Sequence, residues 1–147
     1  MRISGSTSCR IAGRIGLLGV AALVSCTVGD PFAPSVDNMA GAYTAGRLVT
    51  ADSSGVIDWL AAGGTLTLTL SSDGSMSGRL FLPGGGASGG DLDADMAGDW
   101  LLIGHTVSFG QVAQTFVREL DFVAARDRLA ADRYFGDSLR VIVVLTK

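Results

Sequence analysis

Residues 65–70 read Thr-Leu-Thr-Leu-Thr-Leu, and this alternation constrains the fold more than any other feature of the chain. Period two sends every leucine to one face and every threonine to the other, as in a half-buried strand; a helix would scatter the leucines around its axis. Ser71-Ser72-Asp73-Gly74 comes next, and an Asp-Gly pair tolerates the positive φ that tight hairpins need. The return segment places Met76, Gly78, Leu80 and Leu82 on one face and Ser75, Ser77 and Arg79 on the other. Pro83, with no amide hydrogen to donate, ends it. A two-stranded ribbon with one apolar face is not stable alone, so more sheet must cover it.

The rest of the chain supplies that sheet. Residues 41–51 read as a first strand, with Tyr43, Ala45, Leu48 and Val49 as its apolar content and a break in alternation near Gly46 that suits a bulge. Residues 52–55 are a turn, and 56–62 read either as a short strand or as one turn of helix. Residues 84–95 form a loop rich in Gly and Asp. Strands are expected at 98–103 and 106–109 around Gly104-His105, at 115–123, at 128–135 and at 138–146. The last carries Val141 to Leu145 in unbroken succession, so both its faces are covered or one is an interface. The fold class is therefore all-β, an antiparallel meander of about eight strands, as a sandwich or a barrel. A closed barrel is favoured because closure removes edge strands from a chain with few Lys or Pro guards. A membrane-spanning barrel needs an apolar outer face, whereas the Thr65-Thr67-Thr69 face reads as wet. A faint internal echo relates residues 38–43 to 95–100, each of which would open a four-strand half.

The amino-terminal segment belongs to a different class. Arg2, Arg10 and Arg14 precede an apolar run over residues 15–24, about half the ~20 residues a membrane-spanning helix needs. A basic start, a short apolar stretch and small residues at its end mark a secretory signal peptide. The run closes on Leu23-Val24-Ser25-Cys26, which resembles the lipobox of bacterial lipoproteins. The resemblance implies lipidation of the Cys26 thiol, cleavage after Ser25 and acylation of the new amino terminus. Several acyl chains anchor firmly where one holds weakly. It divides the chain into a signal peptide at 1–25, a lipidated tether at 26–37 and a barrel domain at 38–147. Thr27, standing where such lipoproteins carry Asp for inner-membrane retention, implies a cell-envelope location favouring the outer membrane.

Gly98-Asp99-Trp100 resembles the Gly-x-Trp signature of lipocalins, and Gly41-Ala42-Tyr43 is a softer version. In that family the Trp packs across the closed end of a small barrel, so the likeness implies a lipocalin-like barrel. More broadly, residues 43–147 resemble the domains of small envelope lipoproteins of unassigned activity, a likeness that implies no chemistry.

Without the leader about 120 residues remain, enough for one domain with its own core. The leader takes three of the 11 Lys+Arg and none of the 14 Asp+Glu, leaving a net charge of about −6. That balance argues against nucleic acid, which selects a basic face, and disfavours electrostatic adhesion to anionic lipid. Cys9 lies in the leader and Cys26 is the proposed lipid site, so no disulfide, thiolate metal site or cysteine nucleophile is expected of the domain.

Three features of the chain are candidate sites. His105 is the single histidine and sits beside Gly104, where an exposed turn residue is expected and no dyad partner is evident. Asp91, Asp93 and Asp95 alternate as calcium ligands can. Met96 and Leu102, however, occupy the positions where an EF-hand loop needs Gly and Glu, so a solvated acidic loop is expected. Arg118 shares strand phase with Phe116, Leu120 and Phe122. If that face is inward, its guanidinium needs an internal acid, an anionic ligand or a route to the rim. Tyr43, Trp100, Phe116, Arg118 and Phe122 are accordingly the candidate ligand-binding set. No phosphate loop, nucleophile elbow or dinucleotide fingerprint appears, so no catalytic residue, metal or cofactor is assigned. The expected function is non-enzymatic: a membrane-anchored envelope lipoprotein that holds a small apolar or amphipathic ligand in its barrel. The alternative is a filled barrel with a structural or inhibitor-like role, contacting envelope proteins through the last strand or the 84–95 loop.

Overall fold

The computed structural model describes residues 32–111 and 113–147. The lipobox Leu23-Val24-Ser25-Cys26 lies outside the described residues. The described chain opens with a short helix, α1 (Val36–Met39), and continues into β1 (Gly41–Asp52), β2 (Gly55–Asp58), β3 (Thr65–Leu70), β4 (Ser75–Leu82) and β5 (Leu92–Ile103). It ends with β6 (Thr106–Gln111), a 3₁₀ turn (Phe116–Glu119), β7 (Phe122–Ala125), β8 (Arg128–Phe135) and β9 (Leu139–Thr146). From β3 to β9 each strand pairs antiparallel with the next, and β9 returns to pair with β1. The result is a closed eight-stranded meander barrel, with β2 attached outside the ring.

The Thr-Leu alternation at residues 65–70 becomes part of the wall of this barrel. Leu66, Leu68 and Leu70 are buried while Thr65, Thr67 and Thr69 are exposed. Opposite them on β4, Met76, Leu80 and Leu82 are buried too, in the register Leu66↔Leu80 and Leu70↔Met76. Each such leucine taken out of water contributes roughly 2 kcal/mol. Leu68 faces Gly78, where a Cβ would lie 2.2 Å from the Thr67 carbonyl oxygen, so the backbones pass too closely for any side chain. At the turn, Gly74 N donates to Ser71 O at 3.1 Å and Ser71 N to Ser75 O at 2.9 Å, with Gly74 at φ +88. This is the three-residue hairpin in which a glycine takes the left-handed position. Asp73 accepts from the backbone amide and the hydroxyl of Ser75 and so locks the turn.

Closure depends on β1. Its residues Thr44–Ala51 pair with Arg140–Thr146 of β9, across a register shift between Ala45 and Arg47. The bulge expected near Gly46 is therefore where the strand changes phase: Tyr43 points inward before it, Leu48 after it. On its other edge β1 pairs with β3 only over Gly41–Thr44 and with β2 over Val49–Asp52. The strand thus exchanges one neighbour for another along its length, and the ring parts at one end. In β9, Val141, Val143 and Leu145 point into the core while Ile142 and Val144 lie half-buried on the outer face.

The two ends differ. At one end stand α1, the β3–β4 turn and the carboxyl terminus. Ser35 caps α1 in a reciprocal box with Asn38, and Met39 is fully buried in the core cluster. The Tyr43 hydroxyl donates to Met39 O at 2.8 Å, and Trp100 Nε1 donates to Ser71 O at 2.8 Å. At the other end lie β2, the β4–β5 loop, the 3₁₀ turn and the β8–β9 turn.

Several sequence expectations are corrected. Residues 115–123 are not one strand: Val117 and Leu120, three apart, are both buried, so the chain turns in a 3₁₀ step before the short β7. The 84–95 loop ends early, because β5 starts at Leu92 and pairs with Leu82. The boundary placed at residue 38 falls inside α1, and Phe32 packs against the core. The echo between 38–43 and 95–100 is not structural, since Gly41 opens β1 whereas Gly98 lies inside β5.

Candidate functional site

The parted end of the ring holds a pocket of about 410 Å³. Its lining comes from parts of the chain far apart in sequence: Ile57 of β2 and Trp59 just after it, Leu82 and Leu92 flanking the β4–β5 loop, Phe116 of the 3₁₀ turn, and Phe135 and Leu139 at the β8–β9 turn. Thr50, Asp52, Val141, Gly84 and Gly85 complete it. The surface is mostly apolar, with Thr50 and Asp52 the polar side chains among its lining residues.

Trp59 forms one wall, and its position follows from the way β1 changes partners. Past β2 the chain must cross from β1 towards β3. Trp59 makes this crossing: its N–H donates to Leu48 O on β1 at 2.9 Å, and its carbonyl accepts from Gly64 N, next to β3, at 2.7 Å. Its indole Nε1 donates to Thr50 Oγ1 at 3.0 Å. Three hydrogen bonds thus fix the ring, satisfy its polar handle and leave an aromatic surface for the pocket. Asp58 supports the crossing by accepting from the amides of Leu60 and Ala61. Asp52, at the pocket edge, accepts from the amides of Ser54 and Gly55 and from the Ser54 hydroxyl. These bonds, those from Ser54 foremost, hold its carboxyl below the usual carboxylate range.

The candidate ligand set does not converge here. Of its five members Phe116 alone lines the pocket. Tyr43, Trp100 and Phe122 are buried in the core cluster, with Phe122 edge-on to Phe109 at 5.4 Å. Burial also pushes the Tyr43 hydroxyl above its ordinary pKa, with the nearby Asp127 charge adding to the shift. Arg118 is exposed on the 3₁₀ turn. Its expected inward phase assumed an unbroken strand, and the turn removes that phase.

The other sequence features have local explanations. His105 is exposed in the β5–β6 turn, where its carbonyl accepts from Ala124 N at 2.7 Å. Asp91 accepts from Gly84 N at 2.9 Å and so ties the ends of the β4–β5 loop together. Asp93 pairs bidentately with Arg79, which holds its carboxyl below the usual range. Asp95 lies 4.0 Å from the same guanidinium. Arg140 and Asp132 form a like pair on the outer face. Among the described residues no group of three or more His, Cys, Asp or Glu could hold a metal ion, and no helix is long and apolar enough to cross a membrane.

The pocket residues missed by sequence reasoning share one signal. Trp59, Phe135 and Leu139 are large apolar side chains next to turns, where strand alternation gives no instruction about facing. No protein-family model, no curated protein and no solved structure matches the chain.

Proposed function

We propose that the chain is a membrane-anchored envelope lipoprotein, lipidated at Cys26, whose barrel binds a small apolar or amphipathic ligand at its parted end. The observation that carries the ligand reading is the 410 Å³ pocket walled by Trp59, Phe116, Phe135, Leu82 and Leu92. Its volume lies within the roughly 300–1,000 Å³ usual for small-molecule sites, and an apolar lining with a few polar groups is their ordinary composition. The lipobox resemblance of Leu23-Val24-Ser25-Cys26 supports the anchor. On this reading the protein is not an enzyme. It carries no cofactor, binds no nucleic acid and sits in the outer membrane.

A second reading is favoured by β2. All four of its residues are exposed, Val56 and Ile57 among them, and among the described residues β2 pairs with β1 alone. An open strand edge beside the pocket suits an envelope protein that adds an extended segment.

Native mass spectrometry of the protein, extracted from a bacterial envelope in mild detergent, separates the two. A reproducible small adduct that disappears in Trp59→Ala and Phe135→Ala supports the ligand reading. A protein that carries its lipid but no adduct in any form overturns it in favour of the second. Cys26→Ala is expected to abolish incorporation of labelled fatty acid and to release the protein from the membrane. Persistent labelling would sink the anchor.

A further inference from the structure

We infer that the outer face of β5, β7, β8 and β9, at the end of the barrel carrying α1, rests on the bilayer that anchors the chain. The inference builds on the lipid-anchor reading. Its starting point is a group of outward apolar side chains with no explanation in the fold. Leu101 is 57% exposed, Ile103 68% and Val123 61%. Cross-strand register places them in one strip: Ile103 faces Thr106, Thr106 faces Val123, Val123 faces Ala130, and Ala130 faces Val144. Outward apolar residues grouped in this way on a small barrel, with the exposed Thr106 between Ile103 and Val123, mark a contact surface.

The position of the strip selects its occupant. Phe32 is the first described residue, and the Arg126 guanidinium lies over its ring, 5.5 Å from the centroid. Arg126 sits in the β7–β8 turn, three residues from Val123. The chain therefore joins the barrel beside the strip. Cys26 stands only six positions earlier, and six residues span at most about 20 Å when fully extended. A lipid on Cys26 holds this edge of the barrel within that distance of the bilayer, whatever path the tether takes.

Charge points the same way. The chain as a whole is acidic, but the acid is segregated. Between Asp52 and Asp99 there are seven aspartates and one cation, Arg79. After residue 111 there are six basic residues against five acidic ones. Arg126, Arg128 and Lys147 stand on the α1 side of the strip with Asp127 in the same turn, Arg47 closes its far end, and on the side away from α1 Asp121 lies near the Asp132–Arg140 ion pair. An apolar strip with an excess of cations on its bilayer side, and with acids on its other side that are in part paired, suits an interfacial surface. The outer face of β3, with Thr65, Thr67 and Thr69, and the far end of β5, with Asp93 and Asp95, are polar instead. On this arrangement the pocket, at the other end of the barrel, opens away from the membrane.

The test uses the full chain, isolated from the envelope and reconstituted into vesicles of phosphatidylethanolamine and phosphatidylglycerol. An environment-sensitive fluorophore is attached to single cysteines introduced as Ile103→Cys, Val123→Cys, Ser77→Cys or Asp95→Cys. All four positions are exposed, so folding is preserved. Doxyl groups on the acyl chains are expected to quench the labels at 103 and 123 several-fold more than those at 77 and 95, with iodide in the water giving the reverse order. Equal iodide access at all four positions overturns the inference. So does shielding of 103 and 123 from iodide without doxyl quenching, which identifies a second copy of the chain as the occupant. The anchor is checked separately before reconstitution: fluorophore uptake by Cys26 in the unsubstituted protein means that its thiol is free, and both readings then fall together.

Discussion

The two ends of the barrel are made from the same kinds of residue and do opposite things with them. At the α1 end, aromatic and apolar side chains turn inward and their polar atoms find backbone partners: Tyr43 bonds Met39 O, Trp100 bonds Ser71 O, and Met39 fills the space beneath the helix. At the pocket end, Trp59, Phe116 and Phe135 remain partly exposed around an open volume. The cause is the path of β1, which pairs with β3 near one end and with β2 near the other. Where β1 keeps its ring neighbour the barrel seals, and where it gives that neighbour up the barrel opens into the pocket. The pocket needs no special residue type, only an interruption in pairing that leaves ordinary core residues without cover.

The largest expected effect tests the sealed end. Met39→Ala removes a fully buried side chain and is expected to cost about 3 kcal/mol in chemical denaturation, the usual scale for a large-to-small core change. The matching change at the parted end, Ile57→Ala, truncates an exposed residue and is expected to stay within about 0.5 kcal/mol. Equal costs would break the comparison. Next in size, Tyr43→Phe leaves the Met39 carbonyl without its donor and is expected to cost about 1 kcal/mol. Trp59→Ala is expected to leave more stability intact than Met39→Ala while abolishing ligand capture. A variant that unfolds yet still captures ligand when refolded would reverse the roles of the two ends.

The smallest effect concerns pH, because the same turn chemistry occurs at both ends. Asp73 in the β3–β4 turn and Asp52 in the β1–β2 turn are both held below the usual carboxylate range by hydrogen bonds, from Ser75 and Ser54 respectively. A carboxyl whose folded pKa is depressed contributes stability that is fully present above its unfolded pKa and is lost as pH falls through the folded value. The thermal midpoint should therefore drop on acidification below the carboxylate range, and Asp73→Asn should flatten part of that drop. Asp52→Asn should flatten it less, since β2 stands outside the ring and can open without unfolding the barrel. The reverse order would mean that β2 belongs to the cooperative unit.

Much of this architecture was legible in the chain. The alternation at 65–70, the Asp73-Gly74 turn and the bulge at Gly46 all appear where the residues placed them. The misreading at 115–123 has a definite origin. Phe116, Arg118, Leu120 and Phe122 fit a period of two, but Val117 and Leu120 also fit a spacing of three, and the chain takes the second option. Arg118 thereby moved from an expected interior position to solvent. The candidate site was scarcely legible, because its walls come from four connections and large apolar residues beside turns carry no facing information.

The sequence by itself determined the all-β class, the antiparallel order and the inward face of the best-patterned strands. Those properties rest on side-chain alternation and on turn residues, both written within a few positions of each other. Only the tertiary structure decided which end of the barrel is sealed, where the pocket lies and which outer residues form one strip. Each of these depends on pairing between segments as distant as β1 and β9, whose register is set by the closure of the whole ring. Such contacts leave no local pattern to read, because the residues that meet are selected by geometry that exists only once the barrel has closed.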